Sequence, residues 1–198
     1  MGSNGFSREI AELIQNWLRD HEWKYEYNED GECCTFLFDI SINSKFTNLW
    51  YKIGVRDSWY VVVCHPPLKA PHKDRKRMRE LTEMICRINF GLINGSFDMN
   101  MNNGQIIFRC FVNCDGIVPS SDIISKSILD PYAMFLKYGD EIVDVMLGQA
   151  TAKDAVEKAE NPKERRKKIE SPQVDQSAKN NLRERLGTIL MYIKGFLK

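Results

Sequence analysis

Six cysteines and three histidines are the side chains of this 198-residue sequence that could most readily do chemistry. Cys110 and Cys114, four apart, together with the adjacent Cys64 and His65, would supply up to four soft metal ligands. Zinc sites, however, usually pair their cysteines two residues apart, and all four of these positions fall in or beside strand-like runs. A cysteine nucleophile needs an activating base, and His21, His65 and His72 follow no recognisable catalytic spacing. Cys33, Cys34 and Cys86 complete the set, and the ordinary fate of a free cysteine is burial. Asp140, Glu141 and Asp144 could form an acid–base or metal cluster along one helix, although such residues more often make a solvated face. No dinucleotide fingerprint, phosphate loop or H-E-x-x-H motif is present. A thiol- or metal-dependent enzyme is therefore the third of three readings, and no cofactor is expected.

Charge offers a second chemistry. The total is nearly balanced, +1 at pH 7, so no bulk field marks a nucleic-acid or membrane binder. The distribution is uneven. Residues 20–39 hold seven Asp or Glu against Lys24 alone, whereas residues 69–79 hold Lys69, Lys73, Arg75, Lys76, Arg77 and Arg79 against Asp74. A second basic run, KERRKK, occupies residues 163–168, from Lys163 to Lys168. Positive charge at a helix start opposes the macrodipole, which makes Arg75 and Arg79 candidate contacts for an anionic partner; a solvated helix face is the plainer alternative. A nucleic-acid-associated protein using both basic runs is the second reading, weakened by the absence of interleaved aromatics.

The elements that must position these residues are legible from periodicity. Ile10, Leu13, Ile14, Trp17 and Leu18 recur at helical spacing after Ser7, a good N-cap, predicting a helix over residues 7–21. Trp23, Tyr25 and Tyr27 then alternate up to Asp30-Gly31, a tight-turn dipeptide, and Cys34 through Ile42 alternate beyond it. Further strands are predicted over 49–55 and 59–65, and the two prolines after His65 end the run. Met78, Leu81, Ile85, Ile88 and Leu92 give a helix after Pro71 that Gly95 is expected to close. A hairpin follows over 96–101 and 105–113 around Asn102-Asn103-Gly104. Asp130-Pro131 is expected to start a fresh helix over 131–147, since Pro suits the first helical position; Gly148 then stops it, and Thr151-x-x-Asp154 caps another to Glu160. The strands are dense in aromatics, with Trp59 and Tyr60 pointing to opposite faces, so one face is expected to pack against helices and aromatics to line the second; core packing explains most of them, and a protein-binding face is the alternative.

Residues 1–160 thus read as one α+β domain, an antiparallel sheet with helices packed on it. Residues 161–181, polar, charged and proline-containing, read as a flexible linker. Residues 182–198 recover periodicity: Leu182, Leu186, Ile189, Ile193 and Phe196 alternate steps of four and three, an amphipathic helix whose apolar seam needs a partner surface on its own domain, on a second copy, on another protein or at a membrane surface. The opening MGSNGFSREI lacks a basic, then apolar, leader pattern, and no run approaches the ~20 apolar residues of a membrane span. The expectation is a cytoplasmic protein with free thiols.

Two stretches resemble a known family. R-I-N-F-G-L-I-N-G-S-F-D-M-N, from Arg87, and V-M-L-G-Q-A-T-A-K-D-A-V-E-K-A-E, from Val145, are similar to the YbjN family of bacterial sensory-transduction regulators, whose fold resembles type III secretion chaperones. Asn89, Gly95 and Phe97 fit its pattern of an Asn late in the helix, then a Gly and an aromatic opening a strand; Gly148, Ala155 and Glu160 fit its closing pattern. The resemblance implies a non-enzymatic module with no catalytic residues, presenting sheet and helix surfaces to a protein partner or, as a homodimer, to itself. This is the first of the three readings.

Overall fold

The computed structural model describes residues 5–161. Their order is α1 (Arg8–Asp20), β1 (Glu26–Glu29), β2 (Cys34–Ser41), β3 (Asn48–Val55), β4 (Trp59–His65), α2 (Arg75–Phe90), β5 (Ser96–Met99), β6 (Ile106–Asn113), α3 (Ser121–Leu147) and α4 (Ala152–Glu160). The fold is α+β: six antiparallel strands in the order β1-β2-β3-β4-β6-β5 form an open sheet, α2 and α3 pack on it, α1 lies against α3, and α4 packs on α2 and α3. The predicted linker, apart from Asn161, and the amphipathic segment with Leu182, Leu186, Ile189, Ile193 and Phe196 lie outside the described residues.

Local chemistry explains most boundaries. Ser7 caps α1 by accepting the Ile10 N–H at 3.3 Å, and the helix buries Ile10, Ala11, Ile14, Trp17 and Leu18. Arg56 N–H bonds Trp59 C=O at 2.8 Å, closing the tight β3–β4 hairpin. Asp74 caps α2, its carboxylate accepting the N–H groups of Lys76 and Arg77. The core is a single cluster running from Ile10 to Ala159. Cys34, Phe36, Phe38, Tyr51, Ile53, Tyr60, Val62, Cys64, Phe108 and Cys110 point into it from one face of the sheet, as period-two alternation requires.

Three predicted boundaries are corrected. The first strand does not begin at Trp23. Glu22 takes a left-handed turn (φ 54°) that lets Trp23 N–H reach back to Leu18 C=O, and the buried indole packs edge-on against Trp17, so β1 is left with Glu26–Glu29. The second helix ends at Phe90 with Gly91 at its cap, and Gly95 instead makes the left-handed turn into β5. The third correction is the largest. Asp130-Pro131 starts no new helix, because Ser121–Leu147 is one helix of 27 residues with Pro131 inside it. An interior proline costs ~3 kcal/mol or more, but the whole run Ser127–Phe135 is buried, and each large apolar side chain taken from water returns roughly 1.5–3 kcal/mol. Asp130, expected as a cap, is 6% exposed and accepts a hydrogen bond from Asn94 Nδ2 at 2.9 Å. The helix lies against β4 and β6 with α1, α2 and α4 around it, and a hydrogen bond of 2.9 Å between Tyr60 Oη and Ser127 Oγ ties it to the sheet. No helix of the described residues is long and apolar enough to cross a membrane.

Candidate protein-binding surface

The second face of the sheet is built by the residues that alternate with the core. Register places Asp39, Trp50 and His65 in one row, Leu37, Lys52, Val63 and Arg109 in the next, and Thr35, Gly54, Val61 and Phe111 beyond. Two aromatic pairs stand across the strands: Trp50 edge-on to His65, with centroids 5.4 Å apart, and Trp59 tilted against Phe111 at 5.5 Å. Trp50 is 48% exposed and Phe111 56%, and no described helix covers them. Charged and polar pairs frame the apolar stripe. Arg109 bridges to Asp98 at 2.9 Å, and Asn48 donates to Asp39 at 3.1 Å. Four strands of about eight residues, ~3.3 Å per residue and ~4.8 Å apart, project roughly 500 Å², of the same order as the ~800 Å² that each partner contributes to a standard interface. Phe111 was not singled out in the sequence, although its alternation with the buried Cys110 is the signal that identifies it.

The sequence motif around Asn89 becomes a structural clamp. Asn89 Nδ2 donates to Phe97 C=O at 2.8 Å, and its Oδ1 accepts Phe97 N–H at 2.9 Å. The amide thus pairs with the outer edge of β5 as a neighbouring strand would. A Cβ on Gly95 (φ 73°) would lie 2.5 Å from Phe108 Cε1, so glycine is required there both for the turn and for the contact. Phe97 is buried against Phe108, Phe135 and Tyr138.

The potential soft-ligand set is taken apart by the strand itself. Cys64 faces the core while His65 faces out, where Nδ1 lies 3.0 Å from Pro66 C=O. Burial pushes the Cys110 thiol up to about 12 and the Cys34 thiol up to about 11, and raises that of Cys64, so these sulfurs carry their protons at neutral pH. Among the described residues no three His, Cys, Asp or Glu side chains gather as a metal site.

The three carboxylates are not a solvated face, contrary to the sequence expectation. Glu141 is 2% exposed and Asp144 8%. Asp144 is bridged by Lys45 and, at 3.3 Å, by Lys158, which also lies 3.7 Å from Glu141. Asp140 accepts from Ser44 Oγ at 2.8 Å and from Lys45 N–H at 2.9 Å. Burial alone would raise the Asp144 carboxyl, but the two ammonium groups outweigh it and hold it below its ordinary value. Lys158 is raised in turn: burial opposes its charge, and Asp144, Glu141 and Asp140 more than compensate. The cluster fastens the β2–β3 loop and α4 to α3.

In the basic run, Arg75 and Arg79 are exposed and have no ion-pair partner among the described residues. Arg77 has a different role, its guanidinium lying against Gly148 so closely that a Cβ there would overlap it. That position puts a cation at the negative end of α3. Glu80, which sequence reasoning passed over, accepts Ala152 N–H at 3.0 Å and secures the start of α4.

No curated protein matches the sequence. The profile of the YbjN family, described as "putative bacterial sensory transduction regulator", matches residues 11–124, which take in nearly all of α1, the whole sheet, α2 and the Asn89–Gly95–Phe97 clamp. The Val145–Glu160 stretch lies beyond the matched span. A match over more than half of the chain, carried by the elements that build the sheet and its clamp, places this protein in the YbjN family.

Proposed function

We propose that this protein is a cytoplasmic, non-enzymatic regulatory module, with no cofactor, that works by binding another protein on the open face of its sheet, as a type III secretion chaperone-like fold would. The observation that carries the reading is the exposure of Trp50 and Phe111, with the half-buried Trp59 against Phe111, on the face opposite the packed core. Trp and Tyr concentrate binding energy at interfaces, and a framing set of paired charges is the usual rim. A second copy is the simplest partner for such a face, and a homodimer is one form of this reading. The test is a Trp50→Ser/Phe111→Ser double variant. Each side chain is about half exposed and makes one aromatic contact, so the melting temperature should fall by only about 5 °C and the variant should stay folded. Covalent capture from a bacterial lysate and light scattering should then show a partner or a dimer in the parent that the variant loses. Identical capture and identical mass in both proteins would refute it.

Arg75 and Arg79, exposed and without an ion-pair partner among the described residues, favour a second reading, contact with nucleic acid through residues 69–79 and 163–168, the latter outside the described residues. It requires binding to a generic oligonucleotide that weakens steeply with salt as counterions are released. Absence of binding at low salt removes it.

A further inference from the structure

The described chain ends beside an open groove. Its walls are the last turns of α2, with Cys86, Arg87 and Phe90, and the outer side of α4, with Val156, Glu157 and Glu160, and its volume is about 520 Å³. The charges on its rim are already engaged: Arg87 with Glu83 at 2.7 Å, Glu157 with Lys153 at 3.8 Å, and Glu160 with Tyr138 Oη at 3.0 Å. Among these paired charges the apolar lining is Phe90, the buried Val156 and Cys86. Phe90 is 95% exposed, and Ile93, three residues further on, is wholly in water. A fully exposed phenylalanine at the groove, with its neighbouring charges paired, suits an apolar side-chain row.

α4 ends at Glu160, itself a wall of the groove, and 37 residues, 162–198, continue from there. Their apolar row, Leu182, Leu186, Ile189, Ile193 and Phe196, recurs at helical spacing and needs a surface to cover it. We propose that residues 182–198 of the same chain dock in the α2–α4 groove and cover Phe90. The place where the chain leaves the groove argues for this occupant. A connector the length of 162–181 has a root-mean-square reach of roughly 25 Å, which sets the local concentration of the attached segment on the order of millimolar. A second copy at micromolar concentration competes poorly with that. The sheet face on the other side of the molecule stays open, so this docking and the binding reading stand or fall separately.

Cys86 is a built-in reporter. It lines the groove and is exposed, whereas Cys34, Cys64, Cys110 and Cys114 are buried and Cys33 is half-buried. Alkylation of the full chain with N-ethylmaleimide, followed residue by residue by peptide mass mapping, reads whether the groove is covered. If the docked form is favoured tenfold, Cys86 should react about tenfold more slowly than in an Ile189→Asp/Ile193→Asp variant, because reaction requires opening. Phe90→Gln should speed Cys86 in the parent and change nothing in the double-aspartate background. Unreactive Cys64 and Cys110 in every variant report an intact core. Equal Cys86 rates in parent and double-aspartate variant would overturn the proposal, and protection that fades on dilution would overturn it in favour of a second copy.

Discussion

Replacing Asn89 with alanine removes both hydrogen bonds to the backbone of Phe97. A hydrogen bond is worth a net ~1 kcal/mol, and a buried partner left unsatisfied adds a desolvation penalty, so two such losses come to roughly 2–3 kcal/mol. The residue that loses them is 1% exposed and wedged among Phe108, Phe135 and Tyr138, which limits the water that can replace the amide. For a domain of this size that corresponds to a fall of about 5–10 °C in melting temperature. Asn89→Asp separates the two bonds. An aspartate still accepts Phe97 N–H, but it sets a carboxylate oxygen against Phe97 C=O where the Nδ2 donor stood, 2.8 Å away. Only the protonated carboxyl can restore that donor, so folding raises its pKa above the unfolded value of ~3.9. A raised folded pKa means the stability is fully present below the unfolded value and lost as pH rises through the folded one. Urea denaturation across pH 3–8, each variant referred to the parent, should therefore show a flat deficit for the alanine variant and a growing one for the aspartate. Deficits under about 0.5 kcal/mol for both, or no pH dependence for the aspartate, would refute the clamp.

Other parts of the structure carry their own expectations. Asp144→Asn weakens the link from α3 to Lys45 and Lys158, and because both lysines are about half in water the cost should be only about 1–2 kcal/mol in a denaturant titration. Since the Asp144 pKa is lowered on folding, its contribution is present above ~pH 4 and lost as pH falls through the folded value, so the variant should lose less stability on acidification than the parent. At the alkaline end the buried thiols ionise only on unfolding. With Cys110 raised to about 12, Cys110→Ala should flatten the loss of stability above about pH 9 by up to ~1.4 kcal/mol per pH unit, and an unchanged slope would argue against its burial.

Where neighbouring residues set the conformation, the sequence was sufficient. Ser7 before an apolar row, Gly148 after one, the Thr151-x-x-Asp154 box and the 59–65 strand all stand where local chemistry puts them, because caps, turns and alternation depend on groups within four or five residues. The Asn89, Gly95 and Phe97 pattern was also readable, although not the reason for it, since the amide and the strand edge it clamps meet only once α2 packs beside β5. Tertiary structure decided the rest. Pro131 remains inside a helix because burial on all sides outweighs one missing hydrogen bond, and Trp23 leaves the strand because the core offers its indole a place against Trp17. Glu141 and Asp144 are buried because lysines from a loop about a hundred residues earlier and from the next helix arrive to pair with them. A carboxylate, proline or tryptophan carries its own propensity, but the free energy that overrides propensity comes from whatever packs against it. That partner is chosen by the folded chain as a whole.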